Sequence, residues 1–287
     1  MLEAKRQRLT LSTGTELSYL CAGESSSVPV LLLHGFPSSA MTFRDIIPEL
    51  SQHAYVIAPD LPGFGASGVL PEVSFRHMGE AVGELLDHLG IGPRYIYLHD
   101  FGAPVGLHLA MSKPEKVLGL IIQNANAHES GFGPAWADTR DFWEHPDENN
   151  RAKATAHLTA EGTRQQYVSG VPDDVAARIA PSVWEEDWRV MNLPGRMDTQ
   201  VALIADYGRY AARFGEIASY LERWQPRALM VWGRHDTFFD LNEVSDWMRV
   251  LPRMEAHVLD GGHFLLETHA QAAAELMRDF IRRGEPG

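Results

Sequence analysis

Six short apolar segments, separated by longer stretches with helical periodicity, are the feature that most limits the folds open to this chain. They are Val28–Leu33, Tyr55–Ala58, Tyr95–Leu98, Val117–Ile122, Ala228–Trp232 and Ala256–Leu259. A strand that is apolar on both faces belongs in a parallel sheet covered by helices on both sides, because each face must be buried. The pattern therefore predicts an α/β fold with a mostly parallel sheet.

Four of the intervening stretches predict helices: Ser39–Ser51, Ser74–Leu89, Pro104–Ser112 and Thr268–Arg283. In the last of these, Ala272, Leu276 and Phe280 are four residues apart, which is the apolar stripe of a helix packed on a sheet. The first part of the chain, Arg8–Gly23, alternates around a polar turn and predicts a β-hairpin.

The alternation of strands and helices stops between Ala127 and Gln225. This stretch contains four of the seven tryptophans and no strand-like run. It predicts helices inserted between two strands, so that residues 127–225 form a helical cap and residues 1–126 and 226–287 form the core. Because open α/β sheets bind ligands at the carboxyl ends of their strands, we expect the cap to cover that edge.

Charge and composition exclude several classes of partner. The net charge of −13, with no basic stripe, disfavours nucleic acid and anionic membranes. The aliphatic runs are too short to span a bilayer. The single cysteine, Cys21, cannot form an internal disulfide, and the N-terminal residues have no apolar stretch typical of a signal peptide. We therefore expect a cytoplasmic protein, a monomer or a homodimer, that acts on a small molecule.

The strand Tyr95–Leu98 leads into His99-Asp100-Phe101-Gly102, and a helix follows. Strand, sharp turn and helix are the setting of a nucleophile elbow, whose usual pattern is Gly-x-Ser-x-Gly. Here Asp100 stands at the serine position and Gly102 at the position of the second glycine, whereas Leu98 replaces the first. The turn therefore predicts an aspartate presented above the sheet edge.

This segment resembles the aspartate-nucleophile branch of the α/β-hydrolases, which comprises epoxide hydrolases and haloalkane or haloacetate dehalogenases. Four further motifs follow the family's order along nearly the whole chain: His34-Gly35-Phe36-Pro37, Asp60–Gly65, Trp232–Asp236 and Asp260–Phe264. The resemblance implies an α/β-hydrolase fold with an inserted helical cap. It also implies a catalytic set of Asp100, Asp236 and His263, and an oxyanion hole formed by the backbone N–H groups of Phe36 and Phe101. His34, Gly35 and Pro37 support that loop.

An aspartate nucleophile suits a particular reaction. The carboxylate is ionised at pH 7 and needs no activating base. Its attack on a saturated carbon gives a stable alkyl ester, and the leaving group is then a halide or an epoxide oxygen. His263, oriented by Asp236, would activate the water that hydrolyses the ester. With no glycine-rich phosphate loop and no His-Glu-x-x-His motif, we expect no metal and no organic cofactor.

The choice between an epoxide and a halide substrate depends on which side chains contact the leaving group. Phe101 stands where dehalogenases place tryptophan or arginine, and Phe36 stands where haloalkane dehalogenases commonly place asparagine. Epoxide hydrolases use cap tyrosines as proton donors, which here implies Tyr207 and, second, Tyr167, with Tyr210 as a rival. Each could instead hydrogen-bond a backbone carbonyl. The sequence thus favours opening of an epoxide to a diol, with dehalogenation, or a non-catalytic binding protein for small molecules, as alternatives.

The aromatic residues of the predicted cap also bear on the substrate. Aromatic side chains around a buried carboxylate favour a medium-sized apolar or amphipathic molecule over a sugar or a phosphate. The sequence does not identify that molecule.

Overall fold

The structure, a computed structural model, describes residues 4–284. Its centre is an eight-stranded sheet in the order β1-β2-β4-β3-β5-β6-β7-β8. The strands are β1 (Lys5–Thr10), β2 (Glu16–Ala22), β3 (Pro29–Leu33), β4 (Tyr55–Pro59), β5 (Arg94–His99), β6 (Val117–Gln123), β7 (Ala228–Gly233) and β8 (Glu255–Leu259). β2 runs antiparallel to β1 and β4, and the remaining pairs are parallel. The predicted hairpin and mostly parallel sheet are confirmed.

The helices are α1 (Ile47–Leu50), α2 (Phe75–His88), α3 (Gly102–Ser112), α4 (Ala137–Glu144), α5 (Glu148–Ala154), α6 (Ala160–Val168), α7 (Asp173–Ala176), α8 (Ser182–Met191), α9 (Arg196–Ala211), α10 (Phe214–Trp224), α11 (Asn242–Val250) and α12 (Leu266–Arg282). Within residues 4–284, none of the helices is both long enough and apolar enough to cross a membrane.

Both faces of the sheet are buried because side chains alternate along each strand. In β5, Ile96 and Leu98 belong to the apolar cluster that includes residues of α2, α3 and α11. Tyr95 and Tyr97 point to the other face, where they join the cluster containing α1 and α12. The two helical layers that the apolar strands predicted are therefore present.

Two predicted helices differ in detail from the structure. The segment Ser39–Ser51 is not one helix: a 3₁₀ turn at Ala40–Phe43 is followed by the short helix α1. Pro48 lies in the first turn of α1, and its ring would clash with the carbonyl of residue 44 in a continuous helix. In α12 the fully buried stripe runs through Ala273 and Met277, one residue later than predicted, although Phe280 is buried as expected.

A helical segment lies between β6 and β7, as the predicted cap does. Helices α4 and α5 pack together, α6 packs on α8, and α9 contacts both α4 and the core helix α2. Helix α10, which lies within the predicted cap boundary, packs against the core helices α3 and α11. We call the segment α4–α9 the cap below, and the predicted cap boundaries at residues 127 and 225 remain a prediction.

Candidate active site

Asp100 occupies a sharp turn between β5 and α3, with a backbone φ of +47°. Few side chains adopt such a conformation, and aspartate and asparagine are among those that do so most readily. Two glycines allow the chain segments to approach each other. A Cβ on Gly35 would lie 2.3 Å from the Cβ of Asp100, and one on Gly102 would lie 2.4 Å from the carbonyl oxygen of Leu33. The turn therefore holds Asp100 in a fixed position.

The carboxylate of Asp100 is buried and meets two backbone N–H groups. The N–H of Phe36 donates to Oδ1 at 2.6 Å, and the N–H of Phe101 also donates to the carboxylate. Burial raises the pKa of Asp100, while His263 and these two N–H groups act in the opposite direction. The structure thus brings both predicted oxyanion donors to the carboxylate of Asp100, with Phe36 bonded to Oδ1.

The loop that carries Phe36 is fixed by His34. Its Nδ1 lies 3.0 Å from the carbonyl oxygen of Gly35, and its Nε2 accepts the N–H of Leu61 at 2.9 Å. Complete burial lowers the pKa of His34, so the ring is neutral and can make one bond as donor and one as acceptor. Pro37 follows Phe36 in the same loop, as the resemblance implies.

His263 lies between two aspartates. Its Nδ1 is 2.9 Å from Oδ2 of Asp236, and its Nε2 is 3.9 Å from Oδ2 of Asp100, too far for a direct hydrogen bond. Burial lowers the pKa of His263, but the charge of Asp236, its hydrogen bond and the charge of Asp100 outweigh burial, so the net shift is upward. The three predicted catalytic side chains therefore converge at the carboxyl ends of β5, β7 and β8.

Asp236 is held by more than His263. Its Oδ1 accepts the N–H groups of Phe238 at 2.7 Å and Phe239 at 3.1 Å. Its Oδ2 accepts the side-chain N–H of Asn124 at 2.8 Å, and the Asn124 oxygen accepts the N–H of Gly233. Asn124 directly follows β6 with a φ of +37°. Asn124 was not among the predicted site residues, because no motif surrounds it in the sequence.

Two buried side chains also contact the main chain of His263. The side chains of His99 and Gln123 each lie 3.1 Å from its carbonyl oxygen. Burial, and the nearby ring of His263, lower the pKa of His99 well below its ordinary value. His99 therefore adds no positive charge beside His263.

A cavity of about 170 Å³ opens in front of Asp100. Its wall is mostly aromatic and aliphatic and combines core and cap residues: Phe36, Asp100, Phe101, Ala135, Trp136, Thr139, His157, Gln166, Ile204, Tyr207 and Phe238. No arginine or lysine is among these residues. The cavity can enclose the reacting part of a small apolar molecule, and we call it the Asp100 cavity.

Tyr207 reaches this cavity from α9, as predicted. The residue is fully buried, and its ring stacks on Trp143 at a centroid distance of 5.9 Å. Among residues 4–284 its hydroxyl has no hydrogen-bond partner. Burial, followed by the proximity of Tyr210, Asp100 and Glu243, raises the pKa of Tyr207 well above 10, so the hydroxyl keeps its proton. A buried hydroxyl without a partner is unfavourable unless a ligand satisfies it.

Neither of the other two tyrosines presents its hydroxyl to the Asp100 cavity. The Tyr210 hydroxyl donates to the carbonyl of Asn126. The Tyr167 hydroxyl donates to Asp187, and the Tyr167 ring stacks on Phe264 at 3.9 Å. Tyr167 lines a second, larger cavity, whose walls include Arg6, Arg8, Arg44, Arg189 and Arg196 and which we call the arginine cavity. The predicted role of Tyr167 as a second proton donor therefore lacks the necessary geometry.

His157 is a cavity residue that the sequence analysis missed. It precedes α6, its ring lies edge-on to Phe36 at 5.7 Å, and burial lowers its pKa, so that the imidazole is neutral at pH 7. No motif surrounds it in the sequence. As for metal ions, residues 4–284 contain no group of three or more His, Cys, Asp or Glu side chains arranged to hold one.

The contact between Tyr167 and Asp187 leads to a prediction on pH and stability. Burial, with smaller contributions from Glu267 and Glu186, raises the pKa of Asp187 to about 7, although hydrogen bonds from Tyr167 and Ser38 oppose the shift. Because the unfolded carboxyl ionises near pH 4, folding loses stability as the pH rises from about 4 to about 7. Asp187→Asn keeps an acceptor for Tyr167 and removes the ionisation. We expect its melting temperature to exceed that of the wild type by several degrees at pH 8, and by less at pH 5.

Melting curves of both proteins between pH 5 and pH 8 test this expectation. Glu186→Gln is the matched control on the same helix, because Glu186 is exposed and pairs with Arg189. Its effect should stay within about 0.5 kcal/mol. A difference between Asp187→Asn and the wild type that does not change with pH would contradict the prediction.

Comparison with known proteins places this geometry in a family. A family model described as the alpha/beta hydrolase fold matches residues 28–270. An uncharacterised hydrolase of Saccharomyces cerevisiae is 32% identical over 279 residues, which cover 95% of each chain. A haloalkane dehalogenase of Mesorhizobium japonicum is 37% identical over 118 residues, which cover 40% of this chain and 37% of that protein.

Solved structures agree on the fold. The ligand-free epoxide hydrolase CorEH superposes with a TM-score of 0.79 at 23% identity, and the match covers 99% of this chain and all of the other. This likeness concerns the fold. The chain is therefore a member of the alpha/beta hydrolase fold family, and the activity that this membership supports is hydrolysis.

Proposed function

We propose that this protein hydrolyses an epoxide to a diol through a covalent ester on Asp100. The observation that carries the proposal is the unpartnered hydroxyl of Tyr207, buried in the wall of the same cavity as Asp100. An epoxide oxygen becomes a strong acceptor as its ring opens, and this hydroxyl can donate to it. No other tyrosine hydroxyl in the described part of the chain is available to that cavity.

In the first step, Oδ2 of Asp100 attacks an epoxide carbon. The new bond joins that carbon to Oδ2, the ring C–O bond breaks, and the released oxygen takes its proton from Tyr207. Oδ1 keeps the N–H of Phe36 and becomes the carbonyl oxygen of the ester, and the N–H of Phe101, which also donates to the Asp100 carboxylate, serves as the second donor.

In the second step, Nε2 of His263 takes a proton from water while the water oxygen attacks the ester carbonyl. Negative charge develops on Oδ1, where the two N–H groups stabilise it; removing one such donor typically costs about 3 kcal/mol of barrier. The ester bond then breaks, and the diol oxygen takes up the proton from His263. The second proton of the water, left on the carboxyl group of Asp100, passes to the Tyr207 phenolate, so that the Asp100 carboxylate and the Tyr207 hydroxyl are both regenerated.

The order of the two steps suits the titration of His263. While Asp100 is ionised, its charge adds to that of Asp236 in raising the pKa of His263. Once Asp100 is an ester, its contribution is lost and the pKa of His263 falls. The imidazole is therefore more readily neutral when it must accept a proton from water.

Halide release, the alternative reaction, finds less support. The indole N–H of Trp136 donates to the carbonyl of Phe238 and that of Trp143 to the carbonyl of Ile204, each at 2.8 Å. Neither is free to bind a halide. A haloacid would also need a cation for its carboxylate, and the Asp100 cavity has none. A protein that only bound small molecules would have no need of the complete arrangement of Asp100, Asp236 and His263.

The test is the intact mass of a His263→Gln variant after incubation with 1,2-epoxyhexane, 1-bromohexane or bromoacetate. Loss of the base should leave the ester trapped, so we expect an adduct with the full mass of the epoxide. The double variant with Asp100→Asn is the control and should gain no mass. Adducts from the bromo compounds alone, each lighter by hydrogen bromide, would instead establish dehalogenation. No adduct with any of the three would count against Asp100 as the nucleophile.

A further inference from the structure

The arginine cavity is the larger of the two cavities, about 580 Å³, and it shares no lining residue with the Asp100 cavity. Its volume lies within the range of pockets that bind small organic ligands. One wall comes from the cap, through α6, α8 and the start of α9. The other comes from the core, through β1, the loops after β3 and β4, and the first turn of α12. A ligand in this cavity would touch both parts of the molecule.

The balance of charged residues on its wall differs from that of the whole protein. The chain has 25 lysines and arginines against 38 acidic residues, whereas this cavity has five arginines against four carboxyl groups. Three of the arginines have carboxylate partners on the wall: Arg6 with Asp60, Arg44 with Glu267 and Arg189 with Glu186. Arg8 pairs with Glu16. The fourth wall carboxyl is the buried Asp187, whose hydrogen-bond donors include Tyr167.

Arg196 forms no salt bridge within residues 4–284; burial lowers its pKa, and the charge of Asp60 opposes this effect. Only 7% of the residue is exposed, and its Nη2 donates to the carbonyl of Ser67. Its Nη1 is buried and has no hydrogen-bond partner among the described residues. Buried polar groups of this kind cost stability unless something binds them, and a guanidinium fork is best matched by an oxyanion.

The same wall also offers apolar surface. Met41 and Leu193 are 47% and 38% exposed, and Val183 and Val190 lie beside them on the wall. Large apolar side chains that remain exposed next to a polar cavity indicate a ligand with an apolar portion. Inorganic phosphate would leave this surface uncovered, and a neutral alcohol would leave Arg196 without a partner.

We propose that the arginine cavity is a second ligand site, which binds a small amphipathic carboxylate and thereby holds the cap against the core. The carboxylate pairs with Arg196, and the alkyl or aryl portion covers Met41 and Leu193. This site is separate from the reaction at Asp100 and does not depend on whether the substrate is an epoxide.

The test is titration of the full-length protein with hexanoate, 1-hexanol and inorganic phosphate. Binding is measured by calorimetry and by the change in melting temperature. We expect saturable binding of hexanoate with a rise in melting temperature, and binding of the other two at least tenfold weaker. Leu193→Asp should weaken hexanoate binding at least tenfold, because it removes apolar surface and adds a negative charge at a tolerant, half-exposed position. Arg196→Gln should have the same effect if it folds.

Asp100→Asn separates this site from the Asp100 cavity. Hexanoate bound in the arginine cavity should bind this variant as it binds the wild type. Hexanoate bound beside Asp100 should bind it more tightly, since a negative charge is removed, and should be insensitive to Leu193→Asp; that pattern would overturn the proposal. Absence of saturable hexanoate binding, or equal binding of hexanol, would overturn it as well.

Discussion

Replacing Asp100 with asparagine is expected to lower turnover of an epoxide substrate at least ~10⁴-fold and to leave the fold intact. Loss of a covalent nucleophile removes the whole two-step route, and comparable losses in other hydrolases reach about 10⁴ to 10⁶. Asparagine is the suitable replacement because the turn has a φ of +47°, which asparagine tolerates and alanine does not. Its side-chain oxygen can also still accept the N–H of Phe36.

Single-turnover and steady-state assays, with circular dichroism as a check on folding, would measure the effect. Asp87→Asn is the matched control: Asp87 lies on α2, its side chain is 70% exposed, and it pairs with Lys113. That variant should retain turnover within about twofold, since isolated surface pairs contribute little. If the Asp100→Asn variant retained more than roughly one hundredth of the activity, the carboxylate would not be the group that attacks.

Tyr207→Phe should lower epoxide turnover by roughly 10² to 10³, the usual contribution of a general acid to a step that needs a proton. The ring, its stacking on Trp143 and the cavity wall stay in place, because only the hydroxyl is lost. That hydroxyl has no partner among the described residues, so its removal should not reduce stability. We expect the melting temperature to stay the same or to rise slightly.

The second tyrosine of the sequence prediction provides the comparison. Tyr167→Phe removes a hydroxyl that donates to Asp187 in the other cavity, so it should lower the melting temperature while epoxide turnover stays within about threefold. Rates of both variants with the same epoxide, measured beside their melting temperatures, test the assignment. Unchanged turnover of Tyr207→Phe would show that this hydroxyl is not the proton donor, and the epoxide proposal would lose its main support.

The two tyrosines illustrate what could be predicted from the sequence and what could not. Asp100, Asp236 and His263 each follow an apolar strand, and parallel strands end at one edge of the sheet, so their convergence followed from the pattern. Cap residues lack that constraint. Neighbouring residues on a helix point about 100° apart, and on α6 Gln166 lines the Asp100 cavity while Tyr167 lines the arginine cavity. Only the packing of the cap on the core decides which of these two side chains faces Asp100.

Similar reasons explain the other differences. His157 lies in a short segment before α6, and nothing local indicates that it contacts Phe36. Asn124 holds Asp236 across two neighbouring strands, and this contact depends on sheet order as well as on the strands themselves. Helix α10 lies within the predicted cap, residues 127–225, yet it packs on α3 and α11. In each case the deciding contact is between elements distant in the sequence.

The bond from the Trp136 indole to the Phe238 carbonyl has a consequence for how this protein could evolve. Two further links tie the same stretches together: the N–H of Gly133 donates to the Phe238 carbonyl, and Phe132 forms a β-bridge with Phe239. The N–H groups of Phe238 and Phe239 in turn hold Asp236. If the indole N–H of Trp136 were freed to bind a halide, its bond to the Phe238 carbonyl would be lost. The segment Phe238–Phe239, which holds Asp236, would then be less firmly fixed. Under the proposed function, a single substitution that turned the indole N–H of Trp136 towards the cavity would weaken epoxide hydrolysis before halide release was established, so a stepwise route between the two reactions at this position passes through a less active enzyme.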